Sequence, residues 1–311
     1  MTRTPRTLGA GALLLAGMTG LTGLTACTSV PARAATVNDS VVRRSDFERD
    51  LRELAAHPGL IDLTGGTAYS MAGDSARGWL NQIITWTAAE DVLDDAGLEP
   101  TQEAVDGIQA QLSSNPTAQE LPQDMLDDVV RGAAAVESLS QIPAPATEEL
   151  EAMYAEAPAS TGALCVSHIL VETEAAAQAV LDELEAGADF AELAGERSIE
   201  PAAAESGGAL AANDGNACQS VGTFQTSFDP DFTAGALTAA AGVPTEPVQS
   251  QFGYHVILAR PFDEVGEDLT ELIATAPGDA ALTGRLATGD ITVDPRYGRW
   301  DAARGSVVSL R

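Results

Sequence analysis

Three histidines and three cysteines are all that 311 positions contain of either type, and two of the histidines lie inside apolar runs. His168 sits in Val166-Ser167-His168-Ile169-Leu170-Val171. His255 sits in Tyr254-His255-Val256-Ile257-Leu258. Both runs are rich in β-branched residues and read as buried strands. A half-buried imidazole needs a hydrogen-bond partner, so two mid-strand histidines are a pairing to explain. The second run continues an apolar–polar alternation that starts at Val248 and bends at Gly253. The third histidine, in His57-Pro58-Gly59, stands at a helix breaker and reads as an exposed loop residue.

The cysteines are unequal. Cys165 precedes His168 by three positions, but three residues along a strand point to opposite faces, which argues against a thiol–imidazole nucleophile. In an exported chain Cys165 and Cys218 are expected to form a disulfide. With no His-x-His and no Cys-x-x-Cys, a metal site is unsupported. Cys27 closes the opening segment, where Arg3 and Arg6 precede an apolar stretch over Leu8–Leu21, the pattern of a secretory signal. Its end, Leu24-Thr25-Ala26-Cys27, resembles a bacterial lipobox. That resemblance implies lipidation of Cys27 and anchoring on the outer face of the cytoplasmic membrane. A plain signal peptide or an uncleaved anchor is the alternative.

Acids number 46 against 16 bases, every base an arginine, for a formal charge of −30. Such a surface repels polyanions, which excludes a nucleic-acid partner and direct binding to anionic lipid. The acidity reads as a solvated surface that keeps the chain soluble. The length suits one large or two modest domains with real cores.

The elements that must hold these groups can be followed in order. After a tether over 27–35, a short strand turns at Asn38-Asp39, and Ser45 or Asp46 caps a helix to about Ala56. Leu60–Gly73 is irregular. Asp74 caps a long helix with a stripe of Trp79, Ile83, Trp86 and Leu93. Helices follow over Thr101–Leu112 and Ala118–Ser140, then a short one capped by Thr147. Beyond Pro158–Gly162 the character changes. Strand Ala163–Val171, helix Thr173–Ala186 and short helix Asp189–Gly195 lead to a glycine- and proline-marked stretch over Ser198–Asp231. A short helix near Asp231–Leu237 then precedes the strand at Val248–Leu258. Few strands among segregated helices predict an α+β fold. The tail from Phe262 is too short to fold alone and is expected to dock on the N-terminal helices.

Five separated segments occur in one order: Ser167-His168-Ile169-Leu170-Val171; Phe190-Ala191-Glu192-Leu193-Ala194 with Arg197-Ser198; Gly207-Gly208-Ala209-Leu210; Phe232 to Leu237; and Pro247-Val248 through Gly253-Tyr254-His255-Val256-Ile257. In this, Cys165–Arg260 resembles the parvulin family of peptidyl-prolyl isomerases. The flanks resemble, more loosely, the exported SurA- and PrsA-type foldases. The organisation implied is a signal over 1–26, the tether over 27–35, a helical chaperone-like domain over 36–158, a parvulin-like domain with a small antiparallel sheet over 160–262, and a tail over 263–311 that completes the helical domain.

The resemblance implies catalysis of cis/trans interconversion at X-Pro bonds, whose barrier of ~18–20 kcal/mol arises from amide resonance. A site that prefers the twisted amide lowers that barrier by differential binding, with no covalent intermediate and no cofactor. By carry-over, His168 and His255 are the paired histidines under the site floor, and Ser250 joins their network. Leu210 and Phe232 line the proline pocket, with Phe228 the alternative to Phe232. Glu200 stands where the family has Asp or Cys, and a carboxylate there tunes the field around the carbonyl. A purely structural role for the histidines is the competing view.

Ala209 and Ala211 depart from the family's Asp and Gly. An insertion near Ala211–Gly222 contains Cys218, which the disulfide to Cys165 is expected to pin onto the sheet. Glu172-Thr173-Glu174 stand where phosphate-specific parvulins carry basic residues, which excludes phosphorylated substrates. The partners implied are unfolded or newly exported polypeptides bearing X-Pro bonds, and the membrane through the lipid anchor. The alternative function is a holdase with a degenerate parvulin domain, favoured by Glu200 and the insertion.

Overall fold

The described chain starts on a two-residue turn, where β1, Arg33–Val37, reverses at Asn38-Asp39 into β2, Ser40–Arg43. Asn38 has a φ of 48°, the left-handed conformation that tight hairpins require and asparagine tolerates. Residues 32–57 and 73–310 are described in this computed structural model. The signal, Cys27 with its lipobox, and the stretch over 58–72 lie outside them. The tether expectation is corrected at its end, because Arg33 to Ala35 already belong to β1 and the Ala34 and Ala35 side chains are buried.

α1, Arg44–Ala56, has no side-chain cap at Ser45 or Asp46. The hairpin supplies a partner instead, since the Arg44 N–H donates to the Ala32 carbonyl at 2.9 Å. His57 ends this helix half-buried rather than exposed, its Nδ1 2.8 Å from the Glu53 carbonyl oxygen. α2, Gly73–Asp95, and α3, Gln102–Ser114, lead to α4, Gln123–Ser138. The single helix expected over 118–140 is interrupted at Pro122, the N-cap of α4, because proline cannot donate within a helix. α5, Thr147–Glu156, closes this half.

The strand expected over 163–171 divides at Cys165 into β3, Ala163–Leu164, and β4, Val166–Val171. Helices α6, Glu174–Glu185, and α7, Phe190–Arg197, start at side-chain caps from Thr173 and Asp189. The stretch marked by glycine and proline is not a loop throughout. It holds α8, Pro201–Ser206, then β5, Gln219–Ser220, α9, Val221–Ser227, and, starting at its end, α10, Pro230–Thr238. Pro201 and Pro230 open helices and Gly207 closes one, so these residues punctuate helices rather than exclude them. The last strand expected is a hairpin, β6, Val248–Ser250, and β7, Gly253–Ala259.

The tail folds as α11, Phe262–Thr275, α12, Pro277–Thr288, and three short strands: β8, Ile291–Val293, β9, Arg299–Asp301, and β10, Ser306–Val308. β8 pairs with the free side of β1, Val37 opposite Ile291 and Ala35 opposite Val293. Tyr297 and Trp300 join Phe47, Leu80 and Ile84 in one apolar cluster. The residues are thus arranged as an α+β protein, helix-rich, with small antiparallel sheets.

The sheet that matters for chemistry runs β4-β7-β6, antiparallel throughout. His168 lies opposite Ile257 and Leu170 opposite His255. Because side chains alternate along a strand and paired residues share a face, His168, Leu170, His255 and Ile257 all point one way. Ile169, Val171 and Val256 point the other way and pack with Val180 and Leu181 of α6.

Candidate active site

On the first face the two imidazoles meet. Nδ1 of His168 is 3.2 Å from Nδ1 of His255, and both rings are buried, at 3% and 4% exposure. Ser250, on the neighbouring strand, places Oγ 2.8 Å from Nε2 of His255. At the far end, Oε2 of Glu200 lies 3.0 Å from Nε2 of His168. That contact is off the N–H axis, so His168 Nε2 makes no directed hydrogen bond. Proximity to a carboxylate oxygen still selects the tautomer, since a bare nitrogen lone pair would face negative charge.

The proton positions follow from one end. With its proton on Nε2, a neutral His168 accepts at Nδ1, so His255 must donate from its own Nδ1. His255 then accepts at Nε2, so the Ser250 hydroxyl donates to it. Oγ of Ser250 in turn accepts from the Phe252 N–H at 3.1 Å. Every polar atom from Phe252 to His168 Nδ1 therefore has one role. Neutrality is secured by burial, which pushes the His168 imidazole down to about 4. His255 is likewise lowered to about 4, by burial first and then by the neighbouring His168.

An aromatic wall stands beside this network. Phe232 presents an edge to each imidazole, at centroid distances of 5.3 Å to His168 and 4.9 Å to His255. Phe224 and Phe228 stack at 4.4 Å, and Phe228 stacks on Phe232 at 5.9 Å. Phe228 and Phe232 both line the cleft, so they are not alternatives. Leu210 completes that end, its N–H donating to the Val166 carbonyl at 3.1 Å. It can do so because Gly208 runs against β4, where a Cβ would come within 2.7 Å of the His168 carbonyl oxygen. The cleft encloses about 400 Å³.

All the site residues expected from sequence come together here: His168, Glu200, Leu210, Phe228, Phe232, Ser250 and His255. Cys27 lies outside the described residues. Cys165 and Cys218 are joined by a disulfide, which leaves no free thiol at Cys165 for a nucleophilic pair with His168. The insertion is held twice, since Asn216 and Ala217 also donate to the carbonyl and carboxylate of Asp268 on α11. Sequence reasoning missed Asp229. Its Oδ1 caps α10 by accepting from Asp231 and Phe232 N–H, and its Oδ2 accepts from Gln251 at 3.0 Å. It thereby ties Phe232 to the β6–β7 turn. The Asp229-Pro230 pair, a cap followed by proline at the first helical position, was the available signal.

Residues 168–260 match the family model described as Rotamase, the PPIC-type PPIASE domain. Over 295 residues the chain is 30% identical to the foldase protein PrsA of Halalkalibacterium halodurans, covering 90% of this chain and 84% of that protein. It is 32% identical over 146 residues to the foldase protein PrsA of Clostridium botulinum strain Okra, covering 44% and 40% of the two. A crystal structure of a peptidylprolyl isomerase (PrsA) from Bacillus cereus aligns with 88% of this chain and 96% of its own at 21% identity, with a TM-score of 0.27. Identity across nearly the whole chain, together with an isomerase-family match over the segment that holds both histidines, places this protein in the PrsA foldase family.

Proposed function

We propose that the chain is a peptidyl-prolyl cis/trans isomerase acting on non-phosphorylated X-Pro bonds of exported polypeptides. The observation that carries this is the buried, neutral His168–His255 pair with an aromatic proline pocket directly beside it. A proline ring seated between Leu210, Phe228 and Phe232 sets the X-Pro amide over the two imidazoles. Apolar walls desolvate the amide, which favours the less polar twisted form over either planar one. The histidine chain gives the floor fixed dipoles, with no group that must reorganise as the amide rotates. His168 keeps its Nε2–H buried beside Glu200, which fixes the tautomer from which this chain of dipoles runs. The cleft carries carboxylates at Glu200 and Asp229 and no arginine, which repels a phosphorylated substrate.

Among the described residues no helix is long and apolar enough to cross a membrane. Attachment on the outer face of the cytoplasmic membrane is assigned to a lipid on Cys27, and 36–158 with the returning tail to a chaperone-like body. A protease-coupled assay on a non-phosphorylated X-Pro peptide tests the isomerase. Catalysed rates above buffer, sharply lowered in His255→Ala, are expected. Rates equal to buffer with intact suppression of client aggregation would leave only a holdase.

A further inference from the structure

We infer that the cleft selects the residue preceding proline, favouring a long cationic side chain and disfavouring an acidic one; this rests on the isomerase reading above. Two large apolar side chains at its mouth are left uncovered, Ile199 at 48% and Phe252 at 62% exposure, and both line the same cleft. Large apolar groups held in water at a cleft mouth mark a contact surface. Leu170 joins them into a ledge. Its carbonyl accepts from the Ile199 N–H at 2.8 Å, and its Cδ1 is 3.1 Å from where a Cβ would stand on Gly253, the neighbour of Phe252.

The strand register orders the site. Leu210 is bonded at Val166, His168 lies two residues on, and Leu170 two further. The proline ring occupies the Leu210–Phe232 end, and the X-Pro amide spans the imidazoles. The side chain of X therefore falls on the Ile199–Leu170–Phe252 ledge.

That end is negative. Glu200 follows Ile199 in sequence and its side chain is 39% exposed, and Glu172 and Glu174 stand exposed just past the end of β4. Arg197, on the adjoining helix, is engaged by Glu183 at 2.7 Å. The stem of an arginine or lysine lies along Ile199 and Phe252 while its cation reaches Glu200. A glutamate at X meets the same field with the wrong sign.

The test is kcat/KM of the full chain on a peptide series differing only at X, with lysine, leucine, alanine and glutamate before proline. The order lysine, leucine, glutamate is expected, with lysine over glutamate by about fivefold, compressed by added salt. Glu200→Gln should collapse the lysine-to-glutamate ratio, and Ile199→Ser with Phe252→Ser should remove the advantage of leucine over alanine at X. Acceleration of every peptide to the same degree overturns the selection while leaving the isomerase standing. No acceleration of any peptide overturns both. A ratio unchanged in Glu200→Gln overturns the assignment to this ledge.

Discussion

Nδ1 of His168 faces Nδ1 of His255 at 3.2 Å inside a buried face, so one proton is shared between two rings on different strands. The shared proton makes the pair a single unit. Removing His255 leaves His168 with an unsatisfied buried nitrogen and frees the Ser250 hydroxyl from its acceptor.

His255→Ala should therefore lower kcat/KM by roughly tenfold to a hundredfold, the equivalent of about 1–3 kcal/mol from an unmade buried hydrogen bond. A protease-coupled assay checks this. Activity within twofold of wild type would show that the pocket acts without the pair.

The same burial links stability to pH. Both imidazoles are lowered from 6.5 to about 4 in the folded chain, so between those values the unfolded chain binds more protons. Stability from this source is complete above about 6.5 and is lost as pH falls toward 4. Melting temperatures from pH 7 to 4 should fall, and fall less steeply in His255→Gln. Parallel curves for the two proteins would refute the link.

Closing the Cys165–Cys218 ring spans 53 residues and ties the insertion to the junction of β3 and β4. Replacing both cysteines by serine should destabilise the chain by about 4 kcal/mol on the loop-closure relation. Since every base is arginine, trypsin under non-reducing conditions should release Gly132–Arg197 joined to Ser198–Arg285, the Arg260-Pro261 bond resisting cleavage. Two free thiols in the mass map would sink the assignment.

Asp229→Ala removes the cap of α10 and the tie to Gln251 together. A loss of about 1 kcal/mol in stability is expected from the cap, with a raised KM because Phe232 is no longer held against the imidazoles. Denaturant titration and steady-state kinetics on one preparation separate the two effects. An unchanged KM would confine Asp229 to a capping role.

The two histidines were legible in the sequence because they belong to strands with a clear apolar pattern, whereas Glu200, Leu210, Phe228 and Phe232 lie off the strands and were placed by the family resemblance alone. A mid-strand histidine is conspicuous, but five positions along a strand point to opposite faces, so it is the β6–β7 hairpin register, Ser250 opposite Gly253 and Val248 opposite His255, that brings the Ser250 hydroxyl to His255. Element types were legible wherever one apolar period ran uninterrupted, as in α2 and α6. The missed elements share a cause. α8 and α9 lay in a stretch read as a loop from its glycines and prolines. α12 carries Gly278 and Gly284, residues of low helix propensity. In the fold they sit where a Cβ would strike the Leu139 and Ser160 carbonyl oxygens, so they are there for close packing.

What the sequence determined by itself was local: the strands, the capped helices, the candidate histidine pair and the cysteines. Only the tertiary structure decided the register that puts His168, Leu170 and His255 on one face, the off-axis approach of Glu200, the use of both phenylalanines, and the pairing of β8 with β1 across more than 250 residues of chain. Those relations are set by which surfaces pack together, and packing partners distant in sequence leave no periodicity in the sequence of either one.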